Sequence, residues 1–260
     1  MRMGGGMRKN CHVYELFFLA ACCLCFFGCG LEEYYVLEAP FRIYNTPNAA
    51  TTYDNRYFDF ETNETGNSSI STSFDFLGTA VYYKIYNRYE SIGSVTSALS
   101  SANNSTDPSS AATLLTGKYK YRQLGTDSVT TTPLIASTGA DRRIYIRLTN
   151  YQTDPRYQAK IIVGYAGDSS VAATMVPRRE GNRYSFDFGR TSLDPDTNKV
   201  PVEGDDDYNY SSSGFSSAYP NTYFVDMYAL SVGRDTTYTT YYSKVLHLGT
   251  VAVNAASEDN

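Results

Sequence analysis

Apolar and polar residues alternate at a period of two along several stretches of this chain, and that alternation predicts strands with one buried face. Phe58 and Phe60 alternate with Asp59 and Glu61. The run Phe74–Tyr86 is the strongest strand, with Val81, Tyr83 and Ile85 on one face and Lys84 marking the other as wet. Ile144, Ile146 and Leu148 alternate with Arg143, Tyr145 and Arg147, and Tyr157, Ala159, Ile161 and Val163 continue the pattern. Tyr184, Phe186 and Phe188 do the same against Arg183, Ser185 and Asp187. Tyr34–Leu37 is a candidate first strand broken by Pro40, Lys118–Leu124 is another, and Tyr223–Val232 and Tyr241–Val253 close the chain. Alternation this regular implies antiparallel sheets with one solvated face, so the expected class is all-β, an antiparallel β-sandwich.

Two stretches depart from the strand pattern. Between residues 90 and 117 the composition turns to Ser, Ala, Thr and Asn, with Ile92, Val95 and Leu99 at helical spacing. Asp107 and Pro108 stand as N-cap and first-turn residue ahead of Ala111–Leu115. These features predict a surface insertion with one or two short helices; a flexible serine-rich loop is the competing reading, because Ser, Thr and Asn are indifferent helix formers. Leu193–Ser217 is a polar excursion centred on Asp205-Asp206-Asp207. A sandwich domain over residues 41–260, enlarged by these two insertions, is the expected organisation.

Upstream of it, Arg2, Arg8 and Lys9 precede an uncharged apolar run, Leu16–Phe27, that ends at Gly28-Cys29. About a dozen apolar residues are too few to span a bilayer, which takes roughly 20. The pattern is that of a cleaved secretion signal over residues 1–28 with a small residue before a cysteine that carries diacylglycerol, leaving Cys29 acylated and residues 29–40 as a short tether. Leu19-Ala20-Ala21-Cys22 is a rival site, but cleavage there would leave Cys22, Cys23, Leu24, Cys25, Phe26 and Phe27 exposed on the mature chain. All five cysteines lie at or before Cys29, so the mature chain has no disulfide, no cysteine nucleophile and no thiolate metal site.

Removing Arg2, Arg8, Lys9 and Glu15 takes the formal charge from −5 to −7. An acidic chain argues against nucleic acid as a partner and against charge-driven binding to an anionic membrane; the expected membrane contact is the lipid anchor. The 25 tyrosines, set against no tryptophan, suit half-buried pleated surfaces where the ring packs and the hydroxyl reaches water.

Gly78-Thr79-Ala80-Val81-Tyr82-Tyr83 resembles the third strand of fibronectin type III domains, and Tyr223, Val225, Met227 and Ala229 resemble the sixth, preceded by Pro220 and Thr222. The resemblance implies a fibronectin type III or immunoglobulin-like sandwich with Tyr223 as a tyrosine corner. Phe26-Phe27-Gly28-Cys29 resembles the relaxed lipidation sites of spirochaete lipoproteins, and the whole chain is similar to uncharacterised lipoproteins of treponemes, which implies an address in the cell envelope, at the outer membrane, and no activity.

Catalytic chemistry finds little support. His247, within Val245–Gly249, is the one histidine after Cys29 and reads as a structural strand residue. Asp194, Asp196, Asn198 and Asp205 have the one-three-five-twelve spacing of a calcium loop, but Lys199 stands where the loop needs glycine and no glutamate ends it. No phosphate-binding glycine loop follows a strand, so no cofactor and no metal are expected. The expected function is a non-catalytic binding or structural lipoprotein; the alternative is a binder of a sugar or a small apolar ligand, suggested by the tyrosines. An outer-membrane barrel would need unbroken apolar strand faces, which Lys84, Arg143, Arg147 and Asp226 interrupt.

Overall fold

The computed structural model describes residues 34–125, 133–150, 155–164 and 171–255, so the expected signal sequence and Cys29 lie outside the described residues. One sheet holds five strands in the order β1 (Phe41–Asn45), β2 (Phe58–Glu61), β6 (Arg143–Arg147), β7 (Lys160–Val163) and β8 (Ala173–Thr174). The other is built on β3 (Phe74–Tyr86) and β10 (Thr222–Asp235), which pair antiparallel from Phe224 opposite Tyr86 to Asp235 opposite Phe74. On the outer side of β10 run β11 (Thr240–Tyr242) and β12 (Leu246–Asn254). On the outer side of β3 run three two-residue strands: β4 (Arg122–Gln123), β5 (Ile135–Ala136) and β9 (Tyr208–Asn209), the last parallel to β3. At Gly78 φ is +134°, and a Cβ there would stand 2.1 Å from the Ile135 carbonyl oxygen, so only glycine lets β5 close on β3.

The fold is therefore an all-β sandwich. Among the longer strands, β1, β2 and β6 lie side by side in one sheet and β3, β10 and β12 in the other. Between the sheets Phe58, Phe60, Ile144 and Ile146 meet Val81, Tyr83, Ile85, Val225, Met227 and Val251 in one core.

The second face of β3 and β10 is not wet. Helix α1 (Glu90–Ala102) and helix α2 (Ser110–Thr113), which runs into a π turn at Leu114–Lys118, lie over it. Ile92, Val95, Leu99, Ala111 and Leu115 form a second core with Tyr82, Tyr86, Phe224, Tyr228 and Leu230. Each fully buried aliphatic side chain contributes about 1.5–3 kcal/mol, so this layer is a structural part of the domain. Lys84, read from sequence as the mark of a solvated face, is only 7% exposed. Its ammonium donates to the carbonyls of Lys120 (3.2 Å) and Asp206 (2.9 Å) at the sheet edge, and desolvation pulls its pKa down.

Other expected strands also move. Tyr34–Leu37 is not a strand: β1 begins after Pro40, whose missing N–H does not favour ladder pairing. Residues 35–38 nevertheless belong to the domain. The Tyr35 ring packs 4.7 Å from Phe74 and 5.5 Å from Tyr241, Leu37 is buried, and the Glu38 N–H donates to Asn67 Oδ1. Lys118–Leu124 yields only β4. Tyr184–Phe188 alternates without being a strand: Tyr184 makes a single bridge with Arg179, the Ser185 N–H donates to the Thr197 carbonyl, and Phe186 and Phe188 enter the first core from an irregular segment. In the short helical turn Glu64–Asn67 between β2 and β3, Glu64 is fully buried and accepts from Arg142 Nη2 (2.6 Å) and the backbone N–H groups of Thr138 (2.6 Å) and Gly139 (3.0 Å).

Candidate functional site

Two polar clusters are buried on opposite faces of the β3–β10 pair. The first forms where β12 is bulged. Met227 faces Gly249 and Tyr228 faces His247, so one residue of β12 goes unmatched and the alternation beyond it changes side. Gly249 has φ +112°, with the Pro47 carbonyl oxygen 2.5 Å from where a Cβ would be. The bulge sends Leu248 into the inter-sheet core and brings both His247 and Thr250 to Asp226.

Asp226 is fully buried. Its Oδ1 lies 2.8 Å from His247 Nε2 and accepts from the Thr250 hydroxyl at 2.6 Å, while its Oδ2 accepts from the Tyr121 hydroxyl at 2.6 Å. The Tyr86 hydroxyl stands 3.1 Å from that of Tyr121, and the Tyr228 ring lies 4.6 Å from the imidazole. Burial, and next the Asp226 carboxylate, push the pKa of Tyr121 far up; burial does the same for Tyr86 and Tyr228. The His247 side chain, 32% exposed, forms a rim of this cluster that solvent reaches. An aspartate holding an imidazole is half of a nucleophilic constellation, but among the described residues no serine or threonine hydroxyl completes it on the solvent side of the ring.

The second cluster lies on the inter-sheet side. Arg179 is fully buried, with Nη1 3.0 Å from Asp207 Oδ1 and 3.3 Å from Asp205 Oδ2. Asp207 also accepts from the Tyr83 hydroxyl at 2.9 Å, and burial raises the Tyr83 pKa well above its ordinary value. Glu180, Gly181 and Asn182, directly after Arg179, all have positive φ (50°, 63° and 67°), and such strain persists only where surroundings fix it. Here the Arg179 ion pairs hold one end, and the Asp207 N–H donates to Glu180 Oε1. Burial first, and the Asp207 charge second, raise the Glu180 pKa. Beside this turn is a cavity of about 260 Å³ lined by Arg122, Gln123, Thr116, Arg178, Glu180 and Gly181.

The calcium-loop residues are dispersed. Asp194 Oδ1 accepts from the N–H groups of Asp196 and Thr197, the buried Asn198 amide donates to the Arg190 carbonyl, and Asp205 pairs with Arg179. Among the described residues no group of three acidic, histidine or cysteine side chains is placed to hold a metal ion. Tyr223 packs among Phe188, Tyr208 and Phe215, and among the described residues its hydroxyl makes no hydrogen bond, so the expected corner bond is not formed.

A third feature lies at the surface. On the solvent side of the β1-β2-β6 sheet, tyrosines and arginines interleave: Arg143 stands 3.9 Å over the Tyr44 ring, Tyr57 stacks on Tyr145 at 4.6 Å, and Tyr53 meets Tyr157 edge-on at 5.2 Å. Arg147 bonds the Tyr145 hydroxyl and the carbonyls of Tyr53 and Asp54. The tyrosine count pointed to wettable sheet faces, but which strands would share one was not readable. No protein-family model, curated protein or solved structure matches the chain, so the role of these three features rests on their own chemistry.

Proposed function

We propose that this chain is a cell-envelope lipoprotein of the spirochaete kind, acylated at Cys29 and held at the outer membrane, whose sandwich is a non-catalytic binding or structural module. The observation that carries the reading is the apolar run Leu16–Phe27 closing on Gly28-Cys29, followed by a chain without a further cysteine. The buried polar groups support a structural rather than a catalytic use, since Asp226, Asp207 and Glu64 are each closed by internal donors. Metabolic labelling with a palmitate analogue, together with mass spectrometry of the mature amino terminus, tests it. A diacylated Cys29 is expected, with label lost in Cys29→Ser; a free thiol at residue 29 or a retained leader overturns the reading.

A second reading, a small-molecule binder, is favoured by the cavity beside Arg178–Gly181. Its polar lining of guanidinium, carboxylate and hydroxyl groups suits a hydroxyl-rich molecule no larger than a monosaccharide. Thermal-shift measurements against a panel of monosaccharides check it, with stabilisation expected for the occupant and none for Glu180→Ala.

A further inference from the structure

We infer that the cavity beside Arg178–Gly181 takes a small hydroxylated carboxylate, a sugar acid such as a uronic acid, with the ligand carboxylate on the Arg178 guanidinium. This rests on the second reading above, the cavity as a small-molecule site, and names the charge of its occupant. At about 260 Å³ the cavity falls just below the roughly 300–1,000 Å³ of pockets that hold drug-sized ligands, so a single sugar ring is the right scale. Two irregular backbone segments border it. Thr116 belongs to the π turn Leu114–Lys118, a widened turn found mostly at functional positions. Glu180 and Gly181 open the left-handed run Glu180–Asn182, and strained backbone of that kind clusters at ligand clamps. Arg179 pins this run: fully buried and ion-paired to Asp205 and Asp207, it leaves its neighbours Arg178 and Glu180 at the cavity. The β4 ladder fixes Arg122 and Gln123 in the same way, opposite Tyr83 and Tyr82.

The three guanidinium groups of the lining differ in what they have left to give. Arg179 is committed to its two aspartates, although its buried Nε has no acceptor among the described residues. Arg122 pairs with Asp206 at the surface, the side chains 52% and 69% exposed, and an ion pair so open to water is weak and exchanges readily. Arg178 makes no hydrogen bond or ion pair with any described residue. The Asp194 carboxyl is held low chiefly by bonds from Thr197 and least by the Arg178 charge, so Arg178 is not committed there either. Among the described residues the lining holds one carboxyl, Glu180, which burial first and the Asp207 charge second bias toward its protonated form. A protonated carboxyl donates to an incoming oxygen instead of repelling it. A neutral sugar would leave the Arg178 fork empty, whereas a carboxylate accepts it with two parallel bonds. One uncommitted fork matches one carboxylate; a dianionic phosphate asks for more positive charge than this lining offers.

Isothermal titration calorimetry of the purified full chain with glucuronate, glucose and glucose 6-phosphate tests this. Glucuronate is expected to bind at least about tenfold more tightly than the other two, the difference between a charge-assisted and a neutral hydrogen bond. Arg178→Ala should bring glucuronate down to the level of glucose. The melting temperature of the unliganded chain should stay where it was, because the Arg178 side chain is exposed. Glu180→Gln keeps a hydrogen-bonding group without the charge and should not weaken glucuronate. Equal binding of glucuronate and glucose, tighter binding of glucose 6-phosphate, or glucuronate affinity that survives Arg178→Ala overturns the inference and leaves the cavity a sugar site. Binding of none of the three overturns the reading of the cavity as a sugar site, and the inference with it.

Discussion

His247 Nε2 lies 2.8 Å from Asp226 Oδ1 across the bulged part of the β10–β12 pair, with the carboxylate fully buried beneath the helical layer. The carboxylate is tolerated there because Tyr121 and Thr250 supply two more hydrogen bonds. Asp226→Ala would leave the buried Tyr121 and Thr250 hydroxyls without their acceptor, at about 1–3 kcal/mol for each group left unsatisfied, and would remove the partner of the half-buried His247. Asp226→Asn keeps the shape and one acceptor and should lose less. Chemical denaturation of both variants checks this ordering; a change below 1 kcal/mol in Asp226→Ala would refute it.

The helical layer makes a second measurable claim. Leu99 is fully buried in α1 against the β3–β10 face, and Leu99→Ala should destabilise the domain by about 2–5 kcal/mol. A surface insertion would respond by no more than about 0.5 kcal/mol. The denaturation midpoint of that one variant separates the two descriptions.

That layer was in part legible from sequence. In β10 the apolar residues fall at both parities, Tyr223, Val225 and Met227 on one and Phe224, Tyr228 and Leu230 on the other, and a strand apolar on both faces is covered on both. Lys84 masked the same signal in β3, because a long side chain at a sheet edge can reach backbone carbonyls without facing open solvent. The inter-sheet core followed directly from the alternation at Phe58–Phe60, Val81–Ile85 and Ile144–Ile146. The polar clusters were not legible. Tyr121 meets Asp226 across 105 positions, and the β12 bulge reverses the parity that would have placed His247 elsewhere. At Tyr184–Phe188 the alternation was real but local, since the backbone bonds run to Arg179 just before it, to Thr197 just after it and within the segment rather than to a neighbouring strand.

Glu180 gives a pH-dependent prediction. Burial and the Asp207 charge raise its folded pKa above the value in the unfolded chain, so the fold binds a proton that the unfolded chain has released. The stability this provides is complete below about pH 4.3, the unfolded value, and is lost as pH rises through the folded pKa. Glu180→Gln removes the charge and keeps an oxygen for the Asp207 N–H. It should raise the melting temperature near pH 7, with the advantage disappearing in acid; a melting difference that does not vary with pH would count against this account.

Alkaline pH tests the buried tyrosines with the opposite dependence on wetness. Burial raises the pKa of Tyr83, Tyr86, Tyr121 and Tyr228, and a neighbouring carboxylate raises it further, Asp207 at Tyr83 and Asp226 at the other three. In the unfolded chain the same phenols ionise near pH 10. The folded state therefore holds protons that the unfolded state gives up, and its stability is intact below about pH 10 and falls as pH climbs past it. Tyrosinate absorbance should rise in two stages, the second coinciding with loss of the far-ultraviolet β signal, because the buried phenols ionise only when the domain opens. Tyr121→Phe should weaken that alkaline dependence. At neutral pH it removes a donor from Asp226 and should destabilise the domain by about 1–3 kcal/mol. A single absorbance step with the β signal preserved throughout would mean that Tyr86, Tyr121 and Tyr228 are reached by solvent, and that the helical layer does not seal the face on which Asp226 lies.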